Sequence, residues 1–220
     1  MQTVYAQMGV SLDGFTTGPD DRPDNPMGTG GERIHRWVFD LEAWRERQGW
    51  EGGRSDGDNQ RILKINARNG AVVMGRNMFN GGIEPWGPNP PYRCPAYVVT
   101  HNDHEPIVRE GGTTFHFVTG GIEAALEQAL AAADGKDVEI SGGADIVQQY
   151  LLAGLLDELE IHVAPIFMGD GVRLFDRPEL ADLQLERTEV ADSEDVTHLV
   201  YRVVKDTSAA DRLAAARQPA

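Results

Sequence analysis

Residues 138–150 read VEISGGADIVQQY, and the glycines at 142 and 143 stand where the pattern changes period. Val138 to Ser141 is a short strand-type run, whereas Ile146, Val147, Tyr150 and Leu151 recur at helical spacing. A glycine pair at that junction permits positive φ and lets a ligand or a second backbone approach closely. A tight strand-to-helix turn would use the same residues, so the rest of the chain has to decide between the two readings.

A length of 220 residues with 40% hydrophobic content suffices for one substantial core. No apolar run approaches the ~18 residues needed to span a bilayer, and the opening MQTVYAQMGVSLDG lacks the basic-then-apolar order of a signal peptide. The single cysteine, Cys94, leaves no internal disulfide and no thiolate cluster. Together these features predict a cytoplasmic protein. The formal net charge of -15 argues against nucleic acid and anionic membrane as partners, because binding to both depends on clustered Lys and Arg. An anionic small ligand then needs local donors, which directs attention to arginines beside glycines.

Val4, Ala6, Met8 and Val10 alternate in a first predicted strand that ends at the Asp13-Gly14 turn signal. Residues 17–33 are rich in Gly, Pro and Asp and read as a long loop. Ile34, Trp37, Val38 and Leu41 predict one helix over 34–47, and Asp58 is read as the cap of a helix over 59–68. Strands follow at AVVM (71–74), AYVVT (96–100) and TTFHFVT (113–119). Ile122, Ala125, Leu126, Ala129, Leu130 and Ala133 then form one helical face. After the glycine pair come a strand within LDELEIHVAPIFMGDGVRLF (156–175) and a hairpin from 183–190 and 195–204. The alternation predicts a single α/β domain over 1–205, with a mainly parallel sheet, helices on both faces, a C-terminal antiparallel hairpin and a tail at 206–220, helical at most. Ligands bind such sheets beyond the carboxyl ends of the strands.

One further turn stands out. VVMGRNMF (72–79) puts Gly75 and Arg76 directly after a buried-type strand, where a helix N-terminus and an arginine together would hold a phosphate. No G-x-G-x-x-G follows a strand, and MGTGGER (27–33) follows a Pro-rich loop instead. His116, His162 and His198 fall in separate predicted strands with no H-E-x-x-H pair, so they read as packing or surface residues and no metal is expected. Neither a G-x-S-x-G elbow nor a zinc deaminase signature is present.

SLDGF (11–15), VVMGRNMF, AYVVTH (96–101) and the long segment 140–175, in this order, resemble the dihydrofolate reductase-like superfamily. Within it they are most similar to the reductase domain of the riboflavin-pathway deaminase-reductase, and the resemblance covers about 2–204. It implies a mostly parallel eight-stranded sheet with NADPH lying across the strand ends. Gly75, Arg76, Asn77 and Met78 would hold the adenosine 2′-phosphate and pyrophosphate, while Thr100 and His101 would line the adenosine. A cis peptide between Gly142 and Gly143 would lie against the cofactor, flanked by Ser141, Ala144, Asp145 and Ile146. Asp145 stands where some relatives carry a basic residue, so it is expected to oppose the 2′-phosphate. The resemblance also implies a homodimer paired through the segment that includes Ile166, Phe167 and Met168.

Hydride transfer to a C=N bond requires a proton at nitrogen, from a carboxyl group or a water held by one. Asp13 is one candidate, at the end of the first strand, although Asp before Gly is also an ordinary turn choice. The resemblance implies a carboxylate on the helix lining the substrate pocket, for which Asp40 and Glu42 both qualify. Trp37 and Phe39 are candidates to face a flat ring, with core packing the alternative for Trp37. The expected function is an NADPH-dependent reductase of a small heterocyclic, pteridine- or pyrimidine-like, or carbonyl substrate. Two alternatives stand beside it: 5-amino-6-(5-phosphoribosylamino)uracil reductase, for which Arg22, Arg33, Arg36 and Arg93 are scattered phosphate donors, and a noncatalytic NADP-binding dimeric sensor.

Overall fold

The computed structural model describes residues 2–205, so the expected tail at 206–220 lies outside them. Among the described residues one sheet contains β1 (Val4–Ser11), β2 (Asn69–Gly75), β3 (Ala96–Val99), β4 (Ile107–Val108), β5 (Thr114–Val118), β6 (Asp137–Gly142), β7 (Glu158–Ala164), β8 (Gln184–Asp192) and β9 (Thr197–Val204). Their spatial order is β4-β5-β3-β2-β6-β1-β7-β9-β8. The strands from β5 to β7 pair in parallel, and the β8–β9 hairpin adds antiparallel beside β7. The sheet has nine strands where eight were expected. The addition is β4, two residues that pair antiparallel with β5 at the edge.

The helices are α1 (Glu32–Phe39), α2 (Glu42–Arg47), α3 (Gly57–Arg68), α4 (Arg76–Gly82), α5 (Gly121–Ala132) and α6 (Ala144–Leu152). On one face α5 and α6 bury Leu126, Ala129, Leu130, Val147 and Leu151 against Val4, Ala6, Val73, Val138 and Ile140. Full burial of a side chain such as Leu126 or Ile140 contributes about 1.5–3 kcal/mol, so this layer alone anchors the centre of the sheet. On the opposite face Trp37, Leu41, Ile62 and Ile65 of the α1–α3 region cover Tyr5, while Phe79 of α4 packs with Val72, Met74, Val98 and Phe115.

Two local expectations are corrected. The single helix over 34–47 is broken, because Arg54 N donates to Asp40 O at 2.7 Å and Glu42 N donates to Arg54 O at 3.0 Å. That bridge holds Leu41 in an extended conformation, with ψ 138°, while its side chain stays fully buried. The helical period survives the break because both pieces face the same core. The cap of α3 is Asp56 rather than Asp58: Asp56 Oδ1 accepts from Asn59 N at 3.0 Å. Asp58 instead sits in the first turn, buried, with its Oδ1 3.1 Å from His198 Nε2.

Candidate active site

Met74 on β2 lies opposite Gly142 on β6 in the register of these neighbouring strands, so the Gly75 and Gly142 turns finish side by side. The Gly142-Gly143 peptide is cis, and Gly142 has φ 111°, a left-handed value that a side chain would strain. A Cβ at Gly75 would come within 2.7 Å of Ile146 Cγ1, so α6 packs directly onto the Gly75 turn. Gly143 is different. It is exposed, its φ of -64° suits any residue, and a Cβ built there meets nothing within 4 Å. No side chain caps α6, which leaves its N-terminal amides beside that open space.

Arg76 follows Gly75 and lies 5.4 Å from the Phe79 ring and 5.3 Å from the Phe117 ring. Its Nε donates to Asn80 Oδ1 at 2.9 Å, but its buried Nη1 has no hydrogen-bond partner. A buried donor left unpaired costs about 1–3 kcal/mol, more for a charged group, and an anion beside it would remove that cost. Asn77 is exposed and Met78 half-buried, with the Met78 sulfur 3.7 Å from the position a Cβ would take on Gly142. Thr100, buried at the end of β3, accepts from Asn102 N at 3.2 Å, and His101 is exposed. Asp145 Oδ2 accepts from Gln149 at 2.6 Å, and its other oxygen is ion-paired with Arg177. The opposing charge expected of Asp145 is therefore offset by an arginine that the sequence reading did not single out. An anionic, phosphate-bearing group fits this set of donors and open backbone.

The carboxylates divide differently from expectation. Asp13 accepts from Ser11 Oγ at 2.6 Å, Met168 N at 3.0 Å and Gly169 N at 2.7 Å. The Ser11 bond first, and then the two backbone bonds, hold its pKa down at about 2. An acid that weakly basic is ionised at neutral pH and gives up no proton there, so Asp13 acts as a clamp between the SLDG turn and the loop after β7. Asp40 and Glu42 are both exposed at the break between α1 and α2. Trp37 is buried with its ring centroid 5.0 Å from that of His162 and 5.1 Å from that of His198, a packing role. Phe39 is half-buried against Trp44.

A buried carboxyl that the sequence reading missed stands on β6. Glu139 Oε2 accepts from Asn69 Nδ2 at 2.7 Å and lies 3.5 Å from the Tyr5 hydroxyl. Its Oε1 accepts from Gln7 Nε2 at 3.2 Å, and Gln7 Oε1 in turn is 3.4 Å from His162 Nε2. His162 and His198 are register partners on β7 and β9, and their Nδ1 atoms meet at 2.8 Å. The chain ends at Asp58. Burial pushes the Glu139 pKa up and both imidazoles down. Glu160, His162 and His198 bring three ligand-type atoms within 4.8 Å of one another. Arg61 Nη1 is already 2.6 Å from Glu160, however, and a cation would have to displace it and break the imidazole contact.

The family model of the RibD C-terminal domain matches residues 2–199. The chain belongs to this family. Among solved structures, a putative riboflavin biosynthesis protein from Shewanella sp. PV-4 superposes on this RibD C-terminal domain with a TM-score of 0.66, at 20% identity over 93% of this chain and 100% of that one. Dihydrofolate reductase from Enterococcus faecalis, complexed with NADP(H), gives a TM-score of 0.51 at 14% identity, covering 92% of this chain and 97% of that one. At these identities the likeness is one of fold, and the fold is that of the dihydrofolate reductases. The uncharacterized protein YwjB of Bacillus subtilis (strain 168) is 28% identical over 111 residues, or 47% of this chain and 57% of that protein, so the alignment spans little more than half of the relative.

Within this RibD C-terminal domain, one further group escaped the sequence reading. Arg47, at the end of α2, is buried enough to lower its pKa, and the charge of Arg93 lowers it again. Arg47 donates to Pro91 O, and Arg93 donates to the carbonyls of Pro90, Tyr92 and Arg47. Arg22 pairs with Asp24 at the surface. Proximity of Arg47 and Arg93 comes from the loop before β3 folding against α2, a non-local contact that no spacing in the chain announces. Among the described residues no helix is long and apolar enough to cross a membrane.

Proposed function

We propose that the protein is an NADPH-dependent reductase that transfers a hydride to a small heterocyclic, pteridine- or pyrimidine-like, or carbonyl substrate. One observation carries this reading: the unpartnered Arg76 Nη1 and the open Gly143 backbone belong to turns that end adjacent strands. Arg76 would hold the 2′-phosphate. The uncapped amides of α6 and the exposed Gly143 would hold the pyrophosphate, with Asn77, Met78, Thr100, His101 and Ser141 to Ile146 around it. Bound there, the cofactor supplies a hydride from its nicotinamide ring. The chain's own task is to position that ring, exclude water and hold a proton for the substrate.

Family membership and the reductase names among the structural relatives support the same class of chemistry. One relative of that fold, from Thermotoga maritima, is a diaminohydroxyphosphoribosylaminopyrimidine deaminase/5-amino-6-(5-phosphoribosylamino)uracil reductase, of which this chain covers 57%. The neighbouring Arg47 and Arg93 favour that second reading, in which an anionic phosphoribosyl group meets two cations. A homodimer belongs to the proposal as well, since Phe167, Val172 and Phe175 are each exposed in the segment after β7.

Equilibrium titration with NADPH, followed by NADPH oxidation with added pterins, pyrimidines and quinones, tests the reading. Tight binding with substrate-dependent oxidation is the expected result. Binding without turnover on any of these acceptors would favour the sensor, and absence of binding would remove the proposal.

A further inference from the structure

His162 and His198 lie opposite each other on β7 and β9, 4% and 1% exposed, and each ring is oriented from behind. His198 Nε2 stands 3.1 Å from Asp58 Oδ1, a carboxylate oxygen that accepts, so that nitrogen carries hydrogen. His162 Nε2 stands 3.4 Å from Gln7 Oε1, and the Gln7 amide is held that way round because its Nε2 donates to Glu139 Oε1 at 3.2 Å. An amide oxygen also only accepts, so this Nε2 carries hydrogen as well. Each neutral ring then keeps its lone pair on Nδ1. The two Nδ1 atoms face each other at 2.8 Å, where two lone pairs repel unless a cation lies between them.

A proton and a metal ion could both serve, and Glu160 separates them. A proton bridges two atoms only, and it makes one ring an imidazolium, which burial disfavours. A metal ion gathers three or four. Glu160 Oε1 is 3.9 Å from His162 Nδ1, and ligand-type atoms of Glu160, His162 and His198 all lie within 4.8 Å of one another. Tetrahedral zinc holds imidazole nitrogens at ~2.0–2.1 Å, which sets two of them ~3.3 Å apart, about half an ångström more than the present contact. Asp58 behind His198 and Gln7 behind His162 are the acceptors that fix the ring orientation of metal-bound histidines.

Arg61 is the obstacle, since its Nη1 holds Glu160 at 2.6 Å. It has a second partner. Its Nη2 is paired with Glu189 of β8, so the guanidinium can give up Glu160 and remain paired. A cavity of about 390 Å³ between α3 and the β8–β9 hairpin reaches Asp58, Arg61, Glu160 and His198, which gives an ion a way in and a water room beside it. Asp58 keeps a buried Oδ2 without a hydrogen bond, with Arg54 Nη2 4.0 Å away. Asp58 and Glu160 together would match the charge of a divalent ion.

We propose that His162, His198 and Glu160 bind one zinc-type divalent cation through both Nδ1 atoms and a carboxylate oxygen, with water as the fourth ligand toward the cavity. The donors select the ion: imidazole suits zinc, whereas magnesium and calcium take oxygen ligands. The ion fastens β9 to β7, two strands from the Gly142 turn of β6, and its binding does not depend on the cofactor reading.

The test uses the tag-free full-length protein after chelation. Titration with Zn2+ should show uptake of one equivalent per chain, and the melting temperature should rise with free Zn2+. Co2+ in its place should give the intense visible absorption of a four-coordinate site. Glu160→Gln keeps a carbonyl for Arg61 but loses the anionic ligand, so its Zn2+ affinity should fall about tenfold or more. His198→Gln should abolish the Co2+ band, while His104→Gln, at an exposed ring outside the cluster, should change nothing. Wild-type uptake and the Co2+ spectrum decide the matter even if His198→Gln fails to fold. Absence of uptake by the wild type would overturn the proposal, and nitrogen-15 NMR showing hydrogen on His162 Nδ1 would then make the two rings a neutral packing pair. Wild-type affinity in Glu160→Gln, or loss of binding in His104→Gln, would place the ion elsewhere and overturn the site.

Discussion

Arg76→Ala separates recognition of the 2′-phosphate from support of the turn. The substitution removes a guanidinium whose Nε is bonded to Asn80 and whose Nη1 is buried without a partner. Its loss from the Phe79 and Phe117 faces costs about 0.5–1 kcal/mol each. Removing the unpaired Nη1 returns a comparable amount, about 1–3 kcal/mol, so the folded protein should survive with little net change in stability. Binding is another matter. A charge-assisted hydrogen bond to the phosphate contributes about 1.5–3 kcal/mol, equivalent to about tenfold to a hundredfold in affinity. Asp145 would reduce this through repulsion, but its pairing with Arg177 offsets that field. Calorimetric titrations with NADPH and NADH should therefore show a loss for NADPH within that range and almost none for NADH. The difference should shrink as salt rises. Equal losses for the two cofactors would mean that Arg76 supports only the turn, and the 2′-phosphate assignment would be withdrawn.

Four other outcomes are expected. Gly143→Val adds a side chain where the protein has open space, so folding stability should hold while NADPH binding weakens by about 1–3 kcal/mol; unchanged affinity would return the glycine pair to a plain turn. Arg177→Ala frees the charge of Asp145 and should weaken NADPH more than NADH, an effect that the double variant with Asp145→Asn should abolish in binding assays. Asp13→Asn should lower the melting temperature at neutral pH. Because the Asp13 pKa is depressed, its contribution is present above the ordinary carboxylate range and lost as pH falls through about 2, so the gap from wild type should close there; a gap independent of pH would refute the clamp. Light scattering should give twice the chain mass of 24.1 kDa, with Phe167→Asp, at a residue 70% exposed, shifting the protein to one chain.

The parallel sheet was legible because apolar runs and helical faces alternate along most of the chain, and each ends in a recognisable stop. Its errors share a cause. The break at Asp40 and Leu41 comes from a backbone bridge to Arg54, which leaves the 3.6-residue period of 34–47 undisturbed and so leaves no trace in it. The cap of α3 moved from Asp58 to Asp56 because both residues suit the role locally, and His198 on β9 claims Asp58 from a position 140 residues away. β4 is two residues long, too short to show any period.

The site was legible where backbone geometry dictates residue type. Gly75 and Gly142 admit no side chain, for reasons of contact with Ile146 and of positive φ, and the sequence records both constraints as glycine. A proton donor is chosen by burial and by partners across the sheet, and residue type records neither. Asp13 had the better local setting, yet three donors hold it ionised. His162 and His198 each looked like an isolated strand residue until the register of β7 with β9 placed them opposite one another. Glu139 did leave a signal. It lies between Val138 and Ile140 in a strand flanked by β1 and β2, and all three residues are buried. A carboxyl in such a strand must be paired with a cation, bonded on all sides or neutral. Arg47 is near but bonded to Pro91, and Glu139 is bonded instead by the Gln7 and Asn69 amides, with the Tyr5 hydroxyl at 3.5 Å. Burial pushes the pKa of that acid up, whereas the donors around Asp13 push its pKa down, so two carboxyls of the same kind are set apart by partners that the chain brings together only on folding.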